Sequence, residues 1–250
     1  MEERRNIYFL SDFHLGVKGK TSSLEREKKV VRFLQSIEND AKQVFLLGDI
    51  FDFWFEYKRV VPKGFVRLLG QLARMTDKGI KVDFFCGNHD LWQRDYFPKE
   101  MNITLHREKT KEFVFNGKVF LLGHGDGLDK KDYMYRLLRS IFKNPFYNAV
   151  FSCLPSRFGL WIANFWSSTS RGSHNKPRQK GSTIEEPMTM FCKQYLKTKH
   201  IDYFILGHRH KVIEEQLEDN SYYINIGSWL DESPYAVFDG EKIEIKQYDI

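Results

Sequence analysis

Cysteine is scarce in this sequence, and its few residues form no pattern. Cys86, Cys153 and Cys192 are widely spaced among 250 residues, with no CxxC pair. This spacing argues against a disulfide framework and a structural zinc site, and it is typical of a reducing compartment. No apolar run reaches the ~18 residues of a membrane span. The charged opening MEERRN leads directly into an apolar run, so we expect no signal peptide.

Acidic residues are fewer than basic ones, and the formal net charge is +6. This balance favours anionic partners such as phosphate esters, nucleic acid or an anionic lipid surface, without selecting among them. Hydrophobic residues make up 42% of the chain and aromatic residues 16%, which is enough for a substantial core and excludes a disordered protein.

Six apolar runs are rich in the β-branched and aromatic residues of buried strands. They span residues 7–14, 44–49, 82–90, 119–126, 203–210 and 222–229. Five of the eight histidines lie at the ends of these runs. Because the carboxyl ends of parallel strands meet at one edge of a sheet, we expect the side chains there to assemble into one site. The predicted metal ligands are Asp12, His14, Asp49, Asn88, His124, His208 and His210.

The predicted ligands divide between two ions, with Asp49 bridging them at a separation of about 3.5–4 Å. Beside Asp49, the first ion would bind Asp12, His14 and His210, and the second would bind Asn88, His124 and His208. The mixture of oxygen and nitrogen ligands suits manganese, iron or zinc better than calcium or magnesium. A single D-x-H or one buried histidine could arise without a metal, but these motifs recur in order after apolar strands. We therefore predict a two-metal hydrolytic centre, with Mn²⁺ as the expected ion.

Amphipathic segments between the apolar runs predict the surrounding fold. Helices are expected at 23–38 and 64–78, which together with the flanking strands form βαβ units. Strands at 103–107 and 112–122 follow, the latter with a hairpin turn at Asn116-Gly117. Four further strands are expected near 212–217, 221–226, 235–239 and 242–248. The pattern indicates an α/β (α+β) protein, a mixed two-sheet sandwich flanked by helices.

Residues 128–185 interrupt this pattern with aromatic side chains interleaved with basic ones, and they end in a polar run at 167–182. These residues could form helices that simply pack on the core. They could also form a helical lid with an apolar trough for a lipid and a basic rim for its phosphates. We treat them as an insertion within a single domain spanning residues 1–250.

The motifs D-x-H, G-D-x-x-D, G-N-H-D, G-H-G-D and G-H-x-H resemble, in this order, those of the calcineurin-like metallophosphoesterases, and the likeness extends over nearly the whole chain. It implies a four-layer αββα sandwich and metal-dependent phosphoester hydrolysis. In that pattern the histidine of G-N-H-D, here His89, acts as general acid toward the leaving-group oxygen, and a carboxylate such as Asp52 or Asp90 holds it. We expect Asp52, Asp90 and Asp126 to support ligands and turns rather than to bind metal.

A narrower resemblance joins the chain to the UDP-2,3-diacylglucosamine hydrolases of lipid A synthesis. It rests on SDFHLG, GDIFDFW, HGDGLDKKDYMYRLLR, NPFYNAVFSCLP and IGSW. It implies cleavage of a pyrophosphate to UMP and a diacylglucosamine 1-phosphate, with the insertion gripping the acyl chains. It also implies a cytoplasmic enzyme bound peripherally to the inner membrane of a Gram-negative bacterium, without a nucleic-acid or obligate protein partner. The expected substrate contacts are Asn88, His89, Asp132, Ser170, Lys176 (or its neighbours Asn175 and Lys180) and His208.

The chain departs from this narrower family at two places. Well-known members carry arginine where this chain has His89, and a basic residue expected near Ser167 or Ser168 is absent. A divergent branch is therefore indicated, and two other interpretations stay open: a nucleotide phosphodiesterase or nuclease on the same core, and a scaffold that has lost its metals. Outside the motifs, His106 and His200 are expected at the surface, and His174 is a candidate substrate contact.

Overall fold

The computed structural model describes residues 4–128 and 186–249, together with residues 140, 144, 146 and 150. Of the predicted insertion it therefore covers only residue 128 and those four positions, of which 140, 146 and 150 are helical. The substrate contacts expected at Asp132, Ser170 and Lys176, and His174, lie outside the described residues.

Eleven strands and four longer helices make up the described chain. In order they are β1 (Asn6–Leu10), α1 (Ser23–Ser36), β2 (Ala41–Leu46), α2 (Val66–Asp77), β3 (Lys81–Phe85), α3 (Tyr96–Met101), β4 (Thr104–His106), β5 (Thr110–Phe115), β6 (Lys118–Gly123), α4 (Pro187–Leu196), β7 (Tyr203–Leu206), β8 (Val212–Gln216), β9 (Tyr222–Ile226), β10 (Pro234–Phe238) and β11 (Ile243–Gln247), with a short 3₁₀ turn at Glu218–Asn220.

The strands form two mixed sheets. The first has six strands in the order β11-β10-β1-β2-β3-β4, in which β1 to β4 are parallel. The second has five strands in the order β5-β6-β7-β9-β8, in which β6, β7 and β9 are parallel. In both sheets the antiparallel strands lie outside the parallel ones, so the parallel strands of each sheet end side by side.

The fold has four layers of secondary structure, and an apolar cluster lies between each pair of neighbouring layers. One cluster packs α1 and α2 against the first sheet, a second fills the space between the sheets, and a third packs α4 against the second sheet. Between the sheets the Phe9 ring stacks on Phe45 at 5.5 Å and on Phe120 at 6.0 Å. Burial of each such ring stabilises the fold by roughly 1.5–3 kcal/mol. The predicted αββα sandwich is confirmed.

Local sequence signals account for the start of α1 and for the turn between β5 and β6. A capping box starts α1, in which the Ser22 hydroxyl accepts from the Glu25 amide at 3.2 Å and the Glu25 carboxylate accepts from the Ser22 amide at 3.0 Å. The hairpin between β5 and β6 turns at Asn116 and Gly117, both at positive φ, as predicted. Within the described residues, no helix combines the length and apolar character needed to cross a bilayer.

The surface position expected for His106 is wrong. The His106 residue is only 2% exposed, and its Nε2 lies 2.7 Å from Oδ1 of Asp83. Its ring stacks on Phe85 at 4.5 Å and meets the edge of Phe113 at 5.7 Å. Because Phe113 belongs to the second sheet, the cover over His106 comes from a tertiary contact that local sequence does not reveal. His200 is exposed, as predicted.

Candidate metal centre

The carboxyl ends of strands from both sheets meet at one place. Asp12 and His14 follow β1, Asp49 follows β2, and Asn88 and His89 follow β3 in the first sheet. From the second sheet, His124 follows β6, and His208 and His210 follow β7. All seven predicted ligands thus come together in one buried pocket, as the distances below show.

The first group contains Asp12, His14, Asp49 and His210, whose ligand atoms all lie within 4.8 Å of one another. The Nε2 atoms of His14 and His210 are 2.9 Å apart, and Oδ1 of Asp12 lies 3.1 Å from Nε2 of His210. Oδ1 of Asp12 is buried without a hydrogen-bond donor. Such an orphaned carboxylate oxygen, facing two imidazole nitrogens, fits a divalent cation.

The second group contains Asp49, His124 and His208. Nε2 of His124 lies 3.2 Å from Oδ2 of Asp49 and 3.2 Å from Oδ1 of Asn88. Nδ1 of His124 donates to the Leu47 carbonyl at 2.8 Å, which fixes the tautomer and leaves Nε2 free to bind a metal. Asp49 belongs to both groups and is therefore placed to bridge two ions.

The backbone at this centre adopts conformations that cost free energy. Five predicted ligands have left-handed backbones, namely Asp12, His14, Asp49, His208 and His210, with φ between 45° and 72°. Each such residue costs on the order of 1–3 kcal/mol, a strain that proteins concentrate at functional sites. The motif glycines fit the same geometry: a Cβ at Gly87 would collide with the Asp49 carboxylate, and one at Gly207 with Oγ of Ser11. These contacts explain the glycine before each ligand in G-N-H and G-H-x-H.

The electrostatics of the pocket favour a bound cation. Burial alone would raise the pKa of Asp49, but the charges of His124 and His89 outweigh it and hold the pKa well below its ordinary value. Burial lowers the pKa of His14, whereas the nearby carboxylates of Asp12, Asp52 and Asp49 raise it, with a net value of about 9. The carboxylates therefore stay ionised, and an entering divalent ion would displace protons from the imidazoles.

His89 lies beside the ligands with its ring held from behind. Its Nδ1 donates to the Asp52 carbonyl at 2.9 Å, so Nε2 faces the centre, 3.9 Å from Oδ2 of Asp49. Burial lowers the pKa of His89, and the negative charge of Asp49 offsets only part of this effect. The sequence analysis expected a carboxylate to hold this ring. Asp52 does hold it, but through its backbone carbonyl, and its carboxylate lies 3.7 Å from the same nitrogen.

Asp90 connects the two loops that carry Asp49 and Asn88. Its Oδ2 accepts from the Ile50 amide at 2.9 Å and its Oδ1 from the Gly87 amide at 2.7 Å. Burial, with the charge of Asp49 adding to it, raises the pKa of Asp90 to about 7. The predicted supporting role of Asp90 is confirmed, and Asp126 is likewise buried.

Arg26 is a supporting residue that the sequence analysis missed. It lies in α1 but is only 2% exposed, and its guanidinium donates to the carbonyls of Phe13 at 2.7 Å and His14 at 2.7 Å. These bonds fix the loop that presents His14. The available signal was a basic residue adjacent to the apolar face of a predicted amphipathic helix.

A polar cavity of about 390 Å³ opens beside His210. It lies at the carboxyl ends of strands in the second sheet and adjoins the first ligand group. The other residues that line it are Lys211, Val212, Gly227, Ser228, Asp231 and Glu232.

Residues 5–212 match the family model of the calcineurin-like phosphoesterases. The chain belongs to this family. As a member it is a metal-dependent phosphoesterase, and its Asp/His clusters are suited to divalent ions. The fold is also similar to that of an archaeal phosphodiesterase, with a TM-score of 0.51 and 13% identity over 98% of this chain and 99% of the other.

Two similar sequences carry a more specific name. A UDP-2,3-diacylglucosamine hydrolase of Porphyromonas gingivalis is 34% identical over 98% of both chains. A protein of the same name from Hamiltonella defensa is 30% identical over 84% of this chain and 79% of its own. The likeness to the first of these spans the insertion as well as the two sheets.

Proposed function

We propose that this phosphoesterase hydrolyses the pyrophosphate of UDP-2,3-diacylglucosamine to UMP and 2,3-diacylglucosamine 1-phosphate. The observation that carries the proposal is the 34% identity over 98% of both chains to a hydrolase of that name. The seven Asp, Asn and His ligand candidates in one pocket support the metal-dependent hydrolysis that this reaction requires, because five of them have the strained backbones that proteins concentrate at functional sites.

The ions are proposed to be two divalent cations, preferably Mn²⁺, bound by the two ligand groups with Asp49 shared between them. Two such ions lower the pKa of a water and neutralise the oxygens of an attacked phosphate. The chain's own residues would do the rest. The strained loops hold the carboxylates and imidazoles in place, and Asn88 and His208 would also contact the phosphates. Nε2 of His89 would deliver a proton to the departing oxygen while the Asp52 carbonyl keeps the ring oriented.

The two ends of the substrate need space on different sides of this centre. We propose that the cavity beside His210 binds the nucleoside end of the substrate, because the carboxylates of Asp231 and Glu232 and the hydroxyl group of Ser228 can form hydrogen bonds with a ribose. The insertion 128–185 would be a helical lid within one domain, 1–250, and would hold the acyl chains. Asp132, Ser170 and Lys176 would contact the sugar and phosphates there. Phe146 and Val150, which are 67% and 49% exposed, are apolar residues of this insertion at the protein surface.

The proposed substrate also suggests where the protein works. A diacylated sugar nucleotide lies in a membrane with its head group in water, so the enzyme would bind peripherally to the cytoplasmic face of a Gram-negative inner membrane. This setting requires no nucleic acid and no obligate protein partner.

The test is a Mn²⁺-dependent assay of the purified protein on UDP-2,3-diacylglucosamine in mixed micelles, beside bis(p-nitrophenyl) phosphate. Release of UMP would be followed by chromatography, and the Asp49→Asn variant would serve as the inactive control. Fast UMP release with slow turnover of the small diester is expected. Fast turnover of the diester with no UMP release would reject the lipid substrate and favour a general phosphodiesterase. The presence of His89, where UDP-2,3-diacylglucosamine hydrolases carry arginine, would agree with that result.

A further inference from the structure

An exposed loop beside the metal centre combines apolar and basic side chains. We call residues 57–67 the valine loop; it comprises the stretch before α2 together with the first two residues of that helix, Val66 and Arg67. Two of its valines face solvent, Val60 with 62% and Val66 with 72% of the residue exposed. Exposed apolar side chains are common singly, but two on one short loop form a feature that water does not favour.

The charges of the valine loop are all of one sign. Lys58, Arg59, Lys63 and Arg67 are exposed, and none of them forms an ion pair within the described part of the chain. No acidic residue occurs between positions 57 and 76. A cavity of about 350 Å³ next to the loop is also lined by three acidic residues: Glu56, Asp95 at the N-cap of α3 and Glu100 near the end of that helix. Asp95 is paired with Lys99 at 2.5 Å, so the loop keeps an excess of positive charge.

The valine loop is held at the same edge of the molecule as the metal centre. Just before it, the buried Glu56 carboxylate accepts from the amides of Arg94 at 2.7 Å and Asp95 at 2.9 Å. At its far end the Phe65 ring packs on Phe51 at 4.9 Å, and Phe51 follows Asp49 by two residues. The Tyr57 amide donates to the Val60 carbonyl at 3.0 Å, which closes a turn. The valines are therefore presented on an anchored base.

Nucleic acid would fit this surface poorly. Single strands are bound by exposed aromatic rings that stack on bases. The two aromatic residues of the loop are occupied, since Tyr57 packs on Phe55 at 4.7 Å and Phe65 packs on Phe51. Valine side chains, in contrast, suit the boundary between head groups and acyl chains, and lysine and arginine beside them suit anionic head groups.

We propose that the valine loop is a membrane-contact element that binds an anionic bilayer surface and brings the metal centre to it. The inference rests on the proposed function only in that a lipid substrate lies in a membrane. Lipid binding by the loop is a property of the protein without any substrate, so the two can fail separately.

The experiment measures sedimentation of the full-length protein with sucrose-loaded vesicles of phosphatidylcholine containing 30% phosphatidylglycerol, beside pure phosphatidylcholine, at two salt concentrations. Each basic residue near an anionic surface strengthens binding about fivefold, so Lys58→Ala with Arg59→Ala should weaken it roughly 25-fold. Its matched control is Lys42→Ala with Lys81→Ala. Both lysines are exposed and lie at the amino-terminal ends of β2 and β3, away from the metal centre. Val60→Ser with Val66→Ser should weaken binding about tenfold or more, and Val114→Ser, at a residue 66% exposed in β5, is its control.

The proposal would be supported if only the loop variants lost vesicle binding and if the wild-type protein bound anionic vesicles more weakly at the higher salt concentration. Turnover of bis(p-nitrophenyl) phosphate should stay unchanged in all four variants, which shows that they are folded. Equal effects of loop and control variants would overturn the proposal, as would equal binding to neutral vesicles or binding to RNA in place of vesicles. Vesicle binding without hydrolysis of the glycolipid would reject the proposed substrate and leave the membrane contact standing.

Discussion

Asp49 and His124 lie on different sheets, yet Oδ2 of Asp49 is 3.2 Å from Nε2 of His124. Asp49 follows β2 of the first sheet, and His124 follows β6 of the second. A metal bound by both side chains would therefore cross-link the sandwich, and such a link could form only in the folded protein. Metal binding and folding should accordingly be coupled.

Metal loading should raise the melting temperature through this link. Ions at 100 times their dissociation constant stabilise the native state by about 2.7 kcal/mol per site, which corresponds to roughly 5–10 °C for a domain of this size. In Asp49→Asn, the shift on adding Mn²⁺ should shrink to a few degrees because the shared carboxylate is lost. Differential scanning fluorimetry with and without EDTA measures this, and Asp77→Asn at the exposed end of α2 is the control. A full shift in Asp49→Asn, with two ions per chain by mass spectrometry, would disprove the bridging role.

His89 should matter most when the leaving group is poor. In His89→Gln, hydrolysis of a substrate with an alkyl or sugar-phosphate leaving group should slow by about 100-fold or more, the usual contribution of general-acid catalysis. The same variant should lose less than about tenfold on bis(p-nitrophenyl) phosphate, because nitrophenolate departs without a proton. Steady-state kinetics on the two substrates decide the matter, and equal losses on both would assign His89 to ligand support instead.

Much of this centre could be predicted from sequence because its information is local. Each ligand follows an apolar strand, and each of the motifs G-D, G-N-H and G-H-x-H places a glycine where a Cβ would collide with a neighbour. The neighbours are the Gly87 backbone and the His124 ring at Gly48, the Asp49 carboxylate at Gly87 and the Ser11 hydroxyl group at Gly207. The layers of the sandwich could also be predicted, because the spacing of apolar residues in each segment indicates whether it forms a strand or a helix and which face it buries. Arg26 and His106 could not be placed, since their burial depends on partners distant in sequence. Arg26 bonds the carbonyl of Phe13, and His106 is covered by Phe113 from the opposite sheet.

The buried pair of His106 and Asp83 should be important for stability. Replacing His106 with alanine would leave Oδ1 of Asp83 without its partner at 2.7 Å and would open a void against Phe85. The expected loss is about 2–4 kcal/mol in the free energy of unfolding. Urea denaturation measures it, and His200→Ala, at an exposed histidine, should change stability by less than about 0.5 kcal/mol. Similar values for the two variants would mean that the buried pair is energetically neutral.

Glu38 should make stability depend on pH in the acid range. Burial alone would raise the pKa of Glu38, but hydrogen bonds from Lys78, Gln71 and Arg74 outweigh it and lower the pKa to about 2 from 4.5. Because the folded pKa is depressed, this stabilisation is complete well above pH 4.5 and is lost as the pH falls through about 2.

The variant that tests this is Glu38→Gln. It should be less stable than the wild type by about 1–2 kcal/mol at pH 7, a value reduced for the partly exposed Lys78 and Arg74. The difference should shrink between pH 4.5 and pH 2. Urea unfolding at several pH values measures it, with Glu218→Gln at an exposed position as control. A difference that stays constant with pH would show that charge on Glu38 does not contribute.

Phe146 should affect the lipid substrate without affecting the chemistry. The residue is 67% exposed, and its amide donates to Oδ1 of Asn144 at 2.9 Å, so its backbone is held at the protein surface. If the ring packs on an acyl chain, Phe146→Ala should lower kcat/KM for UDP-2,3-diacylglucosamine by about tenfold or more. Turnover of bis(p-nitrophenyl) phosphate should change less than twofold, and adding Trp161→Ala should deepen the loss on the lipid alone. Val114→Ala, which removes an equally exposed apolar side chain from β5, should leave both activities intact. Parallel losses on both substrates would show instead that the aromatic residues of the insertion support the fold.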